Sequence, residues 1–371
     1  MPKQTTKNKP KAKPKTFFTQ TDFDGANWNL PDDDYTQFFY EQNLSQFWRP
    51  EDISLQSDLN VWQILNDDVK MAYAQNLLVL TFLDTYQGDI GMPVVSRSLD
   101  EKHHQRKAVI NFMAAMENAV HAKSYSNIFM TFLTNIEIDE LFKWGEKNKN
   151  LQTMMSLIVG TYEALDRYNY INKYQPEDID FTDEEFNEAQ WKAMTASVFL
   201  ESWLFYSGFY YPLYFYGQGK LMQAGEMINL ILRDESIHGL YVGRLAQEVF
   251  QTFDEDKQEE LKGWMYNLLH RLYKEQAELA ETIYDPVDLS TDVKVFIRYN
   301  ANKALMNLGF DTIYPNEAVN PVVLNGLNTE SKTMDFFSMK GNGYQKMKSE
   351  AVKDNDFIFK KPKIIQPGGL K

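Results

Sequence analysis

Acidic and imidazole side chains interrupt four segments of this sequence that are largely apolar. A buried carboxylate without a partner costs several kcal/mol, so four of them on separate buried helices need a common binding partner. A pair of metal ions would be such a partner. The candidate ligands are Asp84 in LVLTFLD, Glu117 and His121 in FMAAMENAVHAKSYS, Glu201 in SVFLESWLFYSGF, and Glu235 and His238 in LILRDESIHGLYVG.

The spacing of these residues supports one shared metal site. Residues three or four apart lie on the same face of a helix, so Glu117 can point with His121, and Glu235 with His238. A Glu/His pair on each of two helices, with one carboxylate on each of two others, is the ligand plan of ferritin-like di-iron and di-manganese bundles. Oxygen donors with two imidazoles suit iron or manganese, whereas structural zinc sites usually use thiolates.

Each candidate ligand also has an ordinary explanation when it is considered alone. A Glu and a His at helical spacing are common without a metal, Asp84 could be a satisfied polar group near a helix end, and Glu201 could pair with a buried Arg or Lys. The chain has only five histidines, and two of them fall on these segments. The joint pattern therefore favours a dinuclear site, and a helical scaffold without chemistry would leave the buried acids unexplained.

The segments that carry these residues have the period of helices. Between Pro93 and Gly145 there is neither Gly nor Pro, which predicts one very long helix or two nearly continuous ones. Strand-like alternation is nearly absent, so the sequence predicts an all-α fold, a ferritin-like helical bundle with a dinuclear metal site. Further helices are predicted over residues 69–87, 185–215, 221–250, 257–282 and 292–308.

Composition divides the chain into three parts. Residues 1–20 contain six lysines and no acid, which predicts a disordered basic tail. Residues 21–315 form the predicted ferritin-like domain, with a polar, acidic loop expected over residues 171–187. In residues 316–371 Pro, Gly, Asn and Lys dominate, which predicts a flexible C-terminal tail.

Charge and cysteine content exclude several classes of function. The net charge of −14 is concentrated outside the basic N-terminus, so the acidic body makes nucleic acid an unfavourable partner. The absence of Cys excludes disulfides, thiolate metal sites and a cysteine nucleophile. The N-terminus has no apolar core typical of a signal peptide, and no apolar run is long enough for a membrane span. We therefore expect a cytoplasmic protein that does not contact membranes.

The runs TFLDT, ENAVHAKSYS, SVFLESWLFYSGF and RDESIHG resemble the signature segments of the small subunit of ribonucleotide reductase, especially its class Ib branch. The likeness extends from FWRPEDI near residue 47 to GNGY near residue 344. It implies that all six candidate ligands hold dinuclear manganese or iron. It also implies a subunit that generates a tyrosyl radical for reduction of ribonucleoside diphosphates. The implied partners are a large catalytic subunit, a flavodoxin-like activating protein and a second copy in a homodimer.

The resemblance assigns further roles around the metal site. It implies that Tyr125 bears the radical and that Trp48 and Asp234 carry the oxidation outward, together with His121. Tyr344 would pass the oxidation to the large subunit, on which DNDFIF in the tail would dock, although KKPKIIQPGGLK follows that segment. Ordinary readings are a surface aromatic for Trp48 and a solvated residue for Tyr344. The family's apolar radical pocket corresponds to Phe205, Phe209 and Ile231, for which ordinary core packing is an equally compatible reading.

One departure from the common ligand pattern concerns Glu117. It stands four residues before His121, and Asn118 occupies the position of the acid in Glu-x-x-His. A one-residue bulge or an altered rotamer would bring Glu117 to the site. Two other functions share the ligands: a ferritin-like di-metal oxidase that exports no radical, and an iron-storage bundle. Tyr125, Trp48 and GNGY argue against the first, and the long redox tail argues against the second.

Overall fold

The computed structural model describes residues 24–327. Within that range the fold is all-α, and there are no strands. The all-α prediction is confirmed. The helices are α1 (Thr36–Ser45), α2 (Leu59–Ile64), α3 (Asp67–Tyr86), α4 (Met92–Ser98), α5 (His104–Met116), α6 (Lys123–Phe132), α7 (Asn135–Lys147), α8 (Lys149–Tyr174), α9 (Asp183–Phe199), α10 (Phe205–Gly217), α11 (Met222–Phe250), α12 (Glu255–Tyr284), α13 (Ser290–Asn307) and α14 (Pro321–Gly326).

Three pairs of these helices are joined without a break by π-helical segments. Gln87–Gly91 joins α3 to α4, Glu117–Ala122 joins α5 to α6, and Leu200–Leu204 joins α9 to α10. A π-helical turn inserts an extra residue into an α-helix and is frequent at functional sites. All three segments contain or closely follow candidate ligands.

The prediction of one very long helix or two nearly continuous ones between residues 93 and 145 is wrong, because the chain breaks twice and forms three helical stretches. α4 ends at Ser98 and α5 begins at His104. The second break is a capping box: the hydroxyl of Thr134 accepts from the Glu137 amide, and the Glu137 carboxylate accepts from the Thr134 amide. These paired bonds satisfy the free amides of a new helix and so begin α7.

Helix α8 was not predicted, and the loop expected over residues 171–187 is shorter than predicted. The side chain of Asn148 accepts from the Leu151 amide and caps α8, which continues to Tyr174. A second capping box, between Thr182 and Glu185, begins α9. The polar composition of this region reflects helix ends and exposed helix faces as well as a loop.

The core lies where α3, α9, α10 and α11 pack together, with the segment Glu117–Ala122 against α3. Trp191 and Trp203 are almost completely buried there. Burying a large apolar side chain contributes about 1.5–3 kcal/mol, so this aromatic core can offset the cost of a buried polar site.

Residues beyond the predicted domain boundary at 315 still pack on the bundle. Val323 of α14 is fully buried, and α14 lies against α10. A Cβ atom at Gly217 would lie 2.0 Å from the carbonyl oxygen of Val322, so the two backbones touch. Tyr344, the DNDFIF segment and the basic tail lie outside the described residues. No helix between residues 24 and 327 is long and apolar enough to cross a membrane.

Candidate metal centre

The six candidate ligands meet at one point in the core, and each is fully buried. Their donor atoms form two groups of four, and within each group all atoms lie within 4.8 Å of one another. Two carboxylates are common to both groups, which is the arrangement expected for two ions with bridging ligands. The first group is Asp84, Glu117, His121 and Glu235, and the second is Glu117, Glu201, Glu235 and His238.

The two histidines face each other across the shared carboxylates. His121 Nδ1 lies 2.9 Å from Glu235 Oε1 and 3.3 Å from Glu117 Oε2. His238 Nδ1 lies 2.9 Å from Glu117 Oε1 and 3.5 Å from Glu235 Oε2. Each oxygen of Glu117 and of Glu235 therefore faces a different imidazole, so each carboxylate spans the two ligand groups.

Many polar atoms at this point lack a hydrogen-bond partner among the described residues. These atoms include both carboxylate oxygens of Asp84 and of Glu235, one oxygen each of Glu117 and Glu201, and both ring nitrogens of His238. Buried polar groups are otherwise nearly always hydrogen-bonded. The unpartnered atoms converge, and carboxylate oxygens with imidazole nitrogens suit iron or manganese, so the residues fit a dinuclear metal site.

The protonation of the centre reflects burial and close packing of charge. Burial raises the pKa of Asp84 and of Glu235 well above the usual range, and the negative charge of Glu117 adds to both effects. Burial opposes charge on His121 and His238, but the surrounding carboxylates raise the pKa of both imidazoles. Without a cation the centre therefore retains protons that ligation would release.

The four-residue spacing of Glu117 and His121 is accommodated by the π-helical segment Glu117–Ala122. Of the two possibilities that the sequence left open, a one-residue bulge or an altered rotamer, the structure has the bulge. The segment Glu117–Ala122 also lies close to Gln87–Gly91, the π-helical segment that follows α3. A Cβ atom at Gly88 would lie only 2.9 Å from Cβ of Glu117. Glycine at position 88 therefore allows the two segments to approach, which brings Glu117 toward Asp84.

Tyr125 is fully buried on α6, one helical turn after His121. Its hydroxyl has no hydrogen-bond partner within residues 24–327. Burial raises the pKa of Tyr125 well above its usual value, and the electrostatic effect of the neighbouring Asp84 and Glu235 carboxyl groups raises it further. The phenol is therefore neutral and shielded from water. The predicted apolar pocket residues Phe205, Phe209 and Ile231 are also fully buried.

Trp48 and Asp234 lie in a hydrogen-bonded chain that reaches the centre. The indole Nε1 of Trp48 donates to Asp234 Oδ2 at 2.8 Å, and the same oxygen lies 3.2 Å from His121 Nε2. Trp48 is 2% exposed, so the alternative reading as a surface aromatic is wrong. Gln46 Nε2 donates to the other oxygen of Asp234 at 2.9 Å, and the Arg233 guanidinium donates to the backbone carbonyl of Gln46 at 2.6 Å.

Sequence reasoning missed three polar residues at the centre. Gln46 supports Asp234, Gln87 donates to Glu201, and Tyr162 donates to Gln87. All three are buried. The rule that identified the ligands also applies to Gln87, since it is a polar side chain in a largely apolar segment. Tyr162 gave no such signal, because a tyrosine on an apolar helix face is ordinary core composition.

Comparison with known proteins agrees with this geometry. Residues 25–321 match the family described as ribonucleotide reductase, small chain. The ribonucleoside-diphosphate reductase subunit beta of Bacillus subtilis is 55% identical over 341 residues, which cover 92% of this chain and 98% of that protein. The ribonucleoside-diphosphate reductase 2 subunit beta of Escherichia coli is 36% identical, over 90% of this chain and 97% of that protein.

The fold of this chain is also similar to that of a solved structure from a relative. The crystal structure of dimanganese(II)-NrdF from Streptococcus sanguinis is 39% identical in sequence and superposes with a TM-score of 0.72. The alignment covers 82% of this chain and 100% of that one. This likeness agrees with the class Ib branch indicated by the sequence motifs. By its match over residues 25–321, the chain belongs to the ribonucleotide reductase small chain family.

Proposed function

We propose that this chain is the radical-generating small subunit of a ribonucleoside-diphosphate reductase. The observation that carries the proposal is the pair of overlapping ligand groups, with Glu117 and Glu235 in common, buried close to the shielded phenol of Tyr125. Relatives named as beta subunits of this enzyme support the proposal over nearly the whole chain.

In this proposal Asp84 and His121 would hold one ion and Glu201 and His238 the other, while Glu117 and Glu235, which belong to both ligand groups, would serve both ions. Manganese or iron bound there would supply one-electron oxidising power after reaction with an oxidant derived from dioxygen. Both metals accept this set of oxygen and nitrogen donors. The dimanganese form of the Streptococcus sanguinis relative makes manganese the first cofactor to test.

Tyr125 would lose one electron and its phenolic proton to become the stored radical. Asp84, which would be deprotonated as a metal ligand, is the neighbouring carboxylate that would receive this proton. Phe205, Phe209 and Ile231 would keep water and reductants away, because all three are fully buried apolar side chains.

The chain of His121, Asp234 and Trp48 would carry the oxidation away from the centre. Trp48 donates to Asp234, and Asp234 in turn contacts His121. Tyr344, outside the described residues, is the proposed last carrier before the large subunit. That partner would provide the thiol chemistry of nucleotide reduction, since this chain contains no Cys.

We also infer two further partners. A flavodoxin-like protein would supply the oxidant if the metal is manganese, and a second copy of the chain would form a homodimer. The tail segment DNDFIF would dock on the large subunit. These inferences depend on the class Ib likeness of the chain.

Electron paramagnetic resonance tests the proposal. The protein is loaded separately with Fe(II) and Mn(II) and then oxidised, with the flavodoxin-like partner added for manganese. A tyrosyl signal is expected in the wild type and should disappear in Tyr125→Phe. Tyr73→Phe is the control, because Tyr73 is an equally buried phenol that is not part of the centre.

The alternative is a ferritin-like di-metal oxidase without radical export. Bound metal with no tyrosyl signal after both reconstitutions would contradict the radical proposal and favour this oxidase. Metal content after expression in manganese-supplemented and iron-supplemented media then identifies the cofactor.

A further inference from the structure

The carboxylate of Glu201 accepts a hydrogen bond from a side chain that is not one of the six candidate ligands. Gln87 Nε2 donates to Glu201 Oε1 at 2.5 Å and to Ser197 Oγ at 2.8 Å. The other oxygen, Glu201 Oε2, has no hydrogen bond within residues 24–327 and lies 3.6 Å from His238 Nδ1. One oxygen of Glu201 is therefore fixed by an amide, and the other faces the centre.

Tyr162 determines which way the Gln87 amide points. The Tyr162 hydroxyl donates to Gln87 Oε1 at 2.7 Å. A phenol O–H donates to an amide oxygen, which leaves the NH₂ group directed at Glu201. Burial, and then the charge of Glu201, raise the pKa of Tyr162 well above its usual value, so it stays a donor. If the amide turned over, its oxygen would face the Glu201 carboxylate and repel it.

The backbone leaves room for this pair of side chains. A Cβ atom at Gly91 would lie 2.4 Å from Gln87 Oε1 and 2.7 Å from Cε2 of Tyr162. Gln87 and Gly91 are the two ends of the π-helical segment that joins α3 to α4. Because glycine stands at position 91, the amide and the phenol can occupy the space next to the helix.

The arrangement is specific to one of the two ion positions. No side-chain amide among the described residues donates to Asp84, the corresponding carboxylate of the other position. The donated bond from Gln87 therefore distinguishes Glu201 from Asp84. A ligand carboxylate with one oxygen fixed in advance has less freedom to lose when an ion binds.

We propose that Gln87, oriented by Tyr162, is a positioning residue that directs Glu201 Oε2 toward the ion shared with His238. The inference rests on the proposed function, because it requires that Glu201 is a ligand. Hydrogen-bonding partners of metal ligands typically contribute about 10–100-fold to metal affinity. The dissociation constant of the Glu201/His238 ion should therefore rise by about that factor when the donor is removed.

The test is a Mn(II) titration of the metal-free full chain, followed by metal analysis and by electron paramagnetic resonance of the bound ions. Gln87→Met keeps the side-chain length and removes the donor. Gln190→Met is the matched control: Gln190 is also a buried glutamine, but its Nε2 donates to the Ser98 carbonyl and hydroxyl, away from the centre. Tyr162→Phe removes only the hydroxyl that orients the amide.

The expected result is selective. Gln87→Met should bind one ion as tightly as the wild type does, bind the other about 10–100-fold more weakly, and show isolated Mn(II) instead of a spin-coupled pair at intermediate loading. Tyr162→Phe should show a smaller loss, and Gln190→Met none. Wild-type titration of Gln87→Met, or equal weakening in Gln87→Met and Gln190→Met, would overturn the inference. If the wild type itself does not bind two ions, the proposed function fails, and the inference fails with it.

Discussion

Trp48 and Asp234 are joined by a 2.8 Å hydrogen bond although they lie 186 residues apart in the sequence. The oxygen of Asp234 that accepts this bond also contacts His121 Nε2, 3.2 Å away. A single carboxylate oxygen therefore connects the indole to a candidate metal ligand. Gln46 donates to the second oxygen of Asp234 and holds the carboxylate in this orientation.

Trp48→Phe should separate radical formation from radical use. The phenyl ring cannot donate to Asp234, so the link from the centre is broken while the ligands remain. We expect wild-type metal content and a Tyr125 radical signal, but reductase activity at background when the large subunit is added. Trp62→Phe is the control, because Trp62 is a buried indole that stacks on Phe132. Wild-type turnover in Trp48→Phe would exclude the proposed route.

Removing a ligand that is common to both groups should lower the number of bound ions more than removing a ligand that belongs to one group. Asp84→Ala removes a donor from one ion position only, whereas Glu235→Ala removes a donor from both. We expect Asp84→Ala to retain one ion and Glu235→Ala to lose both, as measured by metal analysis after Mn(II) loading. Circular dichroism checks that both variants keep their helices. Equal stoichiometry in the two variants would contradict the bridging arrangement.

Gly239→Ala should destabilise the protein near the centre. A Cβ atom at this position of α11 would lie 2.1 Å from Ser202 Oγ, next to Glu201. Overpacking of this kind typically costs about 1–3 kcal/mol of unfolding free energy. Urea denaturation of the metal-free protein measures this loss of unfolding free energy.

Gly263→Ala is the matched control for that prediction. Gly263 lies on the exposed side of α12, and its Cβ atom would meet nothing within 4 Å. Replacing glycine by alanine in an open helix position should raise stability by about 0.5–1 kcal/mol. Destabilisation of both variants by the same amount would show that the contact with Ser202 is not the cause.

Asp33→Asn should lower stability at neutral pH but not in acid. The Asp33 carboxylate accepts from the Thr36 amide at 2.6 Å and from Arg106 Nε at 2.7 Å. Burial opposes this charge, but the donated hydrogen bonds and Arg106 hold the pKa of Asp33 below its usual value. A group with a lowered folded-state pKa stabilises above its unfolded pKa, and that contribution disappears as the pH falls through the folded value.

The measurement is the free energy of unfolding of the metal-free protein between pH 7 and pH 3. At pH 7 the loss in Asp33→Asn should be about 1.5–3 kcal/mol, the usual range for hydrogen bonds to a charged group. The difference from wild type should shrink below about pH 4, where the unfolded carboxylate is protonated. Asp34→Asn, at an exposed position, should change stability by less than about 0.5 kcal/mol throughout. A loss that did not depend on pH would show that the charge of Asp33 is not responsible.

The sequence alone determined the fold class and most of the centre. Acidic residues and histidines in apolar helical segments are costly unless they share a partner, and on this ground the sequence predicts that Asp84, Glu201 and Glu235 lie at one site. Helical period predicted α3, α9–α10, α11, α12 and α13 within a few residues. The four-residue spacing of Glu117 and His121 also marked this turn as irregular, but it left open whether a one-residue bulge or an altered rotamer brings Glu117 to the site.

Only the tertiary structure decided which atoms meet. That Glu117 and Glu235 are common to both ligand groups depends on distances between helices, which no single segment encodes. The breaks before α5 and α7 depend on local capping, and Thr134 with Glu137 is a signal that helical period alone does not reveal. The roles of Gln87 and Tyr162 also depend on tertiary contacts that helical period does not show. A neutral buried side chain gives little sign of its partner in sequence, because its role follows from the one atom that it reaches across the core.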